Sequence, residues 1–378
     1  MEDFIFSQIL MELQGHVLSE VKQYHVILCL TVDKQMFSTR RQNSTLAFLF
    51  PLLLYIVPGI SSSIPSRFTT TPHTMSANTL TLPFTTVDVF TTVAYSGNPL
   101  SIITLPSSSS LTAHQLQLIA REFNLSEVVF LHPESSSSTF SRHIQIFTTE
   151  NELPLAGHPV IGTGHYVLKV LRLDAVKDFE TKGGRIPISI DEGTGFVKAV
   201  IPQAFKQHNG VTFQSALNKE NNVVVALVPG MNFILVPLPS LYALSKAGDE
   251  GNGSLAQQPF QPELYLGEEN SGGLIGTMYY VFAGKELGRE RYRTRMFAHV
   301  EDSGSGSACA ALGCWLTRHS DCDDWSERSF VFEQGVEMGR RTEIYLDTGA
   351  REGPKDREIE KVVLSGGVVA IMEGSLKI

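Results

Sequence analysis

Two glycine turns hold the residues whose types and spacing could do chemistry. From Glu152 the chain reads ELPLAGHPVIGTGHYVL, and from Glu301 it reads EDSGSGSACAALGCWL. Each has the same approach: RHIQIF (142–147) leads to Glu150, Glu152 and the Gly157 turn, and RTRMF (293–297) leads to Glu301, Asp302 and the Gly306 turn. A small-residue helix is expected after each turn. The first N–H groups of a helix have no internal partner, and that end carries about half a positive charge. Two such ends facing one cleft would hold a carboxylate or phosphate. An interior Gly costs roughly 1 kcal/mol against Ala, so Gly157, Gly162, Gly164, Gly304 and Gly306 need a reason. Keeping side chains away from the anion is one. Close packing of strands on the helix is the other.

The elements that must position these turns are mostly strands. TVDVF, NPLSIITL, EVVFLH, RHIQIFT, IPISI, FVKAVI, NVVVALV, MNFILVPL, TMYYVFA, YRTRMFA, EIYLD and VVAIM are short apolar or alternating runs broken by Gly, Pro and Asn. LTAHQLQLIAREF predicts an amphipathic helix, with Thr112 as N-cap, Gln115 three residues on, and Leu116, Ile119, Ala120 and Phe123 on one face. HPVIGTGHYVLKVL (158–171) and GSACAALGCWLTRH (306–319) are apolar nearly all round, as expected of helices buried on every side. The repeated order of strand, acidic loop, glycine and helix predicts two related halves, divided near GTGFVKAVIP, with AGDEGNGSLAQQ (247–258) as a surface excursion.

Composition narrows the function. The chain has 378 residues, 42% hydrophobic and 18% charged, enough for one large or two medium globular domains. A net charge of -9 argues against a nucleic-acid partner, which needs clustered Lys and Arg. Cys29, Cys309, Cys314 and Cys322 form no CxxC pair and no zinc-ligand spacing, so they read as small buried hydrophobes in a reducing compartment. There is no GxSxG elbow, dinucleotide fingerprint or Walker loop.

Residues 1–83 read as a disordered or non-native extension, because SSSIPSRFTTTPHTMSANT is Ser/Thr/Pro-rich. The apolar run TLAFLFPLLLYIVPGI (Thr45 to Ile60) is shorter than the roughly 20 residues a spanning helix needs, and Pro51 and Pro58 interrupt it. That argues against a membrane span. A cytoplasmic location is expected; with translation from Met36, Arg40 and Arg41 would precede the run as in a signal peptide, which makes secretion or anchoring the alternative.

VDVFTTVAYSGNPLSII, NLSEVVFL, FTTENELPLAGHPVIGTGHYVL, EDSGSGSACAALGCWL and EQGVEMGRRTEI, in that order, resemble the PhzF-like phenazine-biosynthesis isomerases, which share the diaminopimelate epimerase fold. The resemblance covers nearly everything after Leu82. It implies an α+β fold of two pseudo-symmetric domains, each a β-barrel-like, mainly antiparallel sheet around a central helix, here 84–195 and 196–378. The C-terminal segment can pack back on the first domain. It also implies no cofactor and no metal, a homodimer, and a small carboxylated metabolite as partner.

The residues matching the family's functional positions are Glu127, His158, Asp302 and Ser307, with Gly157, Gly306 and Asn98 as further candidates for substrate binding. Glu127 stands between a helix and an apolar strand, where burial would raise its carboxyl toward neutrality and suit it to general acid/base work. A solvated strand-start Glu is the competing reading. His158 opens a helix, whose dipole would keep it neutral. Asp302 and Ser307 could hold substrate, or cap a helix. Asn98, in SGNPL, could face the cleft or only shape a turn.

The reaction this implies is an isomerisation: Glu127 removes a proton next to an activating group and returns it elsewhere, shifting a double bond. A carboxylate-binding protein without turnover is the alternative, as is an epimerase of the same fold. Epimerases of this fold use two facing thiols at the glycine turns, and Ala156 and Ser303 stand there instead. Ser303 and Arg341 also replace prolines usual in the family, which puts the shape of those loops in doubt.

Overall fold

The computed structural model describes residues 80–107, 110–134, 140–249, 253–255, 274–298, 300–321, 325–353 and 356–378. The Thr45 to Ile60 run, Cys29, Cys322 and much of the 247–258 excursion lie outside them. No helix among the described residues is long and apolar enough to cross a membrane.

The strands form two series with the same pairing. The first comprises β1 (Thr81–Val89), β2 (Asn98–Thr104), β3 (Val128–Leu131), β4 (Ser141–Phe147), β6 (Asp178–Thr181), β7 (Gly184–Ile190) and β8 (Val197–Val200). The second comprises β10 (Asn221–Val228), β11 (Met231–Pro237), β12 (Leu274–Glu286), β13 (Arg289–Phe297), β15 (Glu327–Gln334), β16 (Thr342–Glu352) and β17 (Arg357–Gly366). In both, the pairings run antiparallel, parallel, antiparallel, parallel, antiparallel, antiparallel. β9 (Lys206–Gln214) flanks β10, and the C-terminal β18 (Val368–Lys377) returns to flank β1 in the equivalent place. β8 pairs with β7 and with β17, so this strand joins the two series.

The helices obey the same repeat. α1 (Ala113–Phe123) follows β2, and the short α3 (Leu241–Ser245) follows β11. The two-residue strands β5 (Glu152–Leu153) and β14 (Glu301–Asp302) immediately precede α2 (Gly157–His165) and α4 (Gly306–Arg318). One core cluster takes in both helices, including Val160 and Ile161 from α2 and Ala308 to Leu312 from α4. The fold is α+β, dominated by strands. α1 carries the capping box expected of Thr112 and Gln115, and buries Leu116, Ile119 and Ala120.

Two expectations are corrected. β1 begins at Thr81, so residues 81–83 belong to a strand and not to the extension. The first buried helix is not α-helical throughout: after His165 it widens into a π-helical turn, Tyr166–Val170, closed by Leu171 N–H to Tyr166 O at 2.8 Å. That inserted residue keeps Tyr166, Val167 and Leu168 buried while Lys169 and Val170 face water.

For the glycines, of the two reasons left open, packing accounts for three. A Cβ on Gly162 would meet Leu100 and Val89, at 2.6 and 2.9 Å, and one on Gly164 would meet Val197 at 2.8 Å. A Cβ on Gly304 would meet Thr342 at 2.7 Å. These three serve close packing, which offsets their helical and conformational cost. At Gly157 a Cβ would lie 2.8 Å from the Cα of Gly306, and one on Gly306 would lie 3.1 Å from the Cα of Gly157. The two helix entries therefore touch backbone to backbone.

Candidate active site

Where α2 and α4 meet, their first residues present N–H groups that no helical carbonyl can take: Gly157 and His158 from one, Gly306 and Ser307 from the other. His158 and Ser307 occupy the same second position of their helices, and both are buried. Asn98 reaches them from the first residue of β2. Its Nδ2 donates to Asp302 Oδ1 at 2.8 Å and to Gly304 O at 3.0 Å, and lies 3.3 Å from His158 Nδ1. Glu127, in the loop just before β3, completes the group from the other side of the imidazole, with Oε2 3.7 Å from His158 Nε2. Thus Glu127, His158, Asp302, Ser307, Asn98 and the two glycines, spread over 210 positions of chain, converge at one place.

The electrostatics follow from burial. Burial pushes the Glu127 carboxyl up to about 7, and the hydrogen bond from Ser126 offsets only part of this. Burial pushes His158 down to about 4 against the opposing pull of Asp302. The imidazole is neutral at physiological pH, as expected, with desolvation the main cause. Burial, then the charge of Glu127, raises Asp302 to about 6, while His158, Gly304 N–H and Asn98 pull it back.

With His158 neutral, its 3.7 Å approach to Glu127 is neither an ion pair nor a hydrogen bond. Both facing atoms, Glu127 Oε2 and His158 Nε2, are buried without a hydrogen-bond partner among the described residues. Unpaired buried polar atoms are costly, on the order of 1–3 kcal/mol each. Two that face each other mark a place where a further polar atom belongs.

Several supporting residues were not singled out in sequence. Gln334, fully buried, donates from Nε2 to Asp302 O at 2.6 Å and accepts from Ser305 N at 3.3 Å. The Thr342 hydroxyl donates to Ser303 O at 3.1 Å, which fixes the same turn. Arg340 donates to Asp88 Oδ1 (2.6 Å), Gly97 O (2.9 Å) and Ser96 O (3.0 Å), tying the β15–β16 turn to the β1–β2 loop that carries Asn98. Gly97 has φ +76°, and a Cβ there would lie 2.5 Å from Val89 O, so only glycine fits. The signal was present in EQGVEMGRR, but nothing in a sequence says which polar side chain will brace a loop 30 residues away. Ser303 Oγ lies 3.4 Å from Gly97 O, and Arg341 donates to Glu343 at 2.8 Å, so both substituted prolines became surface or loop contacts.

Cys309 is fully buried beside Gln334, and burial holds its thiol well above its ordinary range. It is no second acid/base. No group of three or more His, Cys, Asp or Glu among the described residues is arranged to hold a metal ion. A cavity of about 590 Å³ at the far end of α4, between Gln203, Phe205, Arg318 and Arg357, touches none of these groups.

The sequence profile described as phenazine biosynthesis-like protein (PhzC-PhzF) matches residues 87–374. The chain belongs to that family. Family relatives include a trans-2,3-dihydro-3-hydroxyanthranilate isomerase from Pseudomonas chlororaphis, 29% identical over 77% of this chain and 97% of the relative. An uncharacterized isomerase from Pasteurella multocida is 30% identical over 77% of this chain and 92% of its own length. Among solved structures, a PhzF-family phenazine biosynthesis protein from Bacillus anthracis covers 79% of this chain and 100% of its own, with TM-score 0.59 and 20% identity. That likeness supports the PhzF-type fold.

Proposed function

We propose that this family member is a cofactor-independent isomerase that moves a proton on a small carboxylate-bearing substrate and so shifts a double bond. The observation that carries the reading is the facing pair of unsatisfied buried atoms, Glu127 Oε2 and His158 Nε2, beside four free helix-entry N–H groups. A carboxylate with a pKa near 7 is half ionised at neutral pH, so it can take a proton from carbon and give it back. The helix-entry N–H groups and Ser307 hold the substrate's carboxylate, which needs no metal for charge balance. His158 donates a hydrogen bond to the activating group, and Asp302 holds an amine or hydroxyl.

The relatives named as isomerases of trans-2,3-dihydro-3-hydroxyanthranilate support a carboxylated substrate of this general kind. Two-thiol epimerisation lacks its groups here, since neither turn, PLAGH (154–158) or DSGSGS (302–307), carries a cysteine. The test is incubation with a panel of small unsaturated amino and hydroxy acids in heavy water. Deuterium should enter a carbon position of at least one acid that binds. Saturable binding of such acids without any exchange would make the protein a carboxylate binder instead.

A further inference from the structure

The Asn98 amide fixes which nitrogen of His158 carries its proton. Side-chain amides can be placed either way round, but here the neighbours decide. Gly304 O is an acceptor only, and Asp302 Oδ1 acts as one, accepting from Gly304 N–H at 3.1 Å, so an amide oxygen facing either would be repelled. The group facing them is therefore the NH2. The same nitrogen lies 3.3 Å from His158 Nδ1. A proton on Nδ1 would point at an NH2 that has no lone pair to offer, so Nδ1 carries its lone pair; two Nδ2 hydrogens serve three acceptors, and Nδ1, the most distant, takes a shared one.

We propose that Asn98 is a positioning residue that locks His158 in its Nε2–H tautomer, aiming a hydrogen-bond donor at the space in front of Glu127. The tautomer rests on geometry alone; its use as a donor to substrate rests on the isomerase reading above. Nε2 is the atom without a partner, so its N–H is free to engage the oxygen of an activating group while Glu127 handles the carbon-bound proton. With burial keeping the imidazole uncharged, the ring cannot donate from both nitrogens, and the choice of tautomer decides whether Nε2 donates or accepts. Because the lock spans β2, the α2 entry and the β14 turn, it couples the orientation of His158 to that of Asp302.

Two-bond proton–nitrogen correlation spectra of the 15N-labelled protein near pH 7.5 report each imidazole nitrogen directly, with the His158 signals assigned by their loss in His158→Gln. The expected result is a protonated Nε2 and an unprotonated Nδ1. Asn98→Asp exchanges the donor for an acceptor of nearly the same shape, and should leave Nδ1 protonated and lower the exchange rate at least about 10-fold, a typical share for one positioned hydrogen bond. A protonated, donor-type Nδ1 in the parent overturns the proposal, and so does an unprotonated Nδ1 in Asn98→Asp. If that variant does not fold, the parent spectrum still decides. Failure of the isomerase reading is a separate result: deuterium exchange unaffected by Glu127→Gln, with the parent tautomer as assigned.

Discussion

At the entry of α4, Ser305 caps the helix by accepting from Ala308 N–H at 3.4 Å; at the entry of α2, the corresponding Ala156 has no side-chain acceptor. The reason lies three residues on. Ala308 is the third residue of its helix and has an N–H to be capped, whereas the third residue of α2 is Pro159, which has none. Both turns therefore leave the same two N–H groups free, by different means. Beyond that they diverge. The α4 turn is braced by Gln334, Thr342 and Asn98, which pair the carbonyls of Asp302, Ser303 and Gly304. The α2 side holds the unpaired atoms of His158 and Glu127. On the proposed function, one turn is a fixed cradle and the other the reactive face.

That contrast can be broken first at its reactive side. Glu127→Gln should lower solvent deuterium exchange by roughly 10²- to 10⁴-fold while ligand affinity stays within a few-fold, since the amide keeps the shape but cannot take the proton. NMR exchange rates and calorimetric binding measured on the same preparation check this. Gly157→Ala attacks what the two turns share. Its methyl would meet the Gly306 backbone, which cannot yield, as well as Leu364, and should destabilise by about 3 kcal/mol in urea unfolding. A cost below about 0.5 kcal/mol would mean the helix entries do not touch.

The unpaired carboxyl also leaves a mark on stability. Because Glu127 is raised to about 7 in the folded protein, its contribution is present below the ordinary carboxylic range and is lost as pH rises through about 7. Asp302, raised to about 6, acts in the same direction, while His158, lowered to about 4, acts oppositely. Relative to Glu127→Gln, the parent should therefore lose about 1–3 kcal/mol between pH 4 and pH 8. Thermal unfolding of both proteins across that range is the measurement. The smallest effect tests the caps: Ser305→Ala should cost about 1 kcal/mol, and Ala156→Ser should change stability by less than about 0.5 kcal/mol, because Pro159 leaves the new hydroxyl no third-residue donor. Equal effects at both sites would remove the asymmetry.

Much of this was legible from the chain. Apolar runs marked β2, β3, β10 and β11, Thr112 and Gln115 marked α1, and the repeated glycine turns exposed the two series. β6, β9, β15 and β17 were not recognised, since DFET, KQHNGVTFQ, ERSFVFEQ and REIEKVVLSG mix charges into strands with one wet face or a wet end. β9 also contains Gly210 at φ +79° and a register shift against β10. Within the site, the four residues matched by resemblance do converge, but the sequence left the purpose of the glycines open between anion access and close packing. Their neighbours are long-range, and Leu364, Thr342 and Val197 cannot be read from AGHP or SGSG. The same holds for Gln334 and Arg340, whose value lies in which loops they bridge.

The central claim is that a buried, unpaired Glu127 is the base, and the pH dependence of solvent deuterium exchange tests it most directly. With any carboxylate that exchanges, the rate at limiting low substrate should climb with pH and level off, with its midpoint near 7, as the Glu127 carboxylate forms. A midpoint near 4, where an ordinary solvated carboxyl titrates, or a rate flat across that range, would contradict the account.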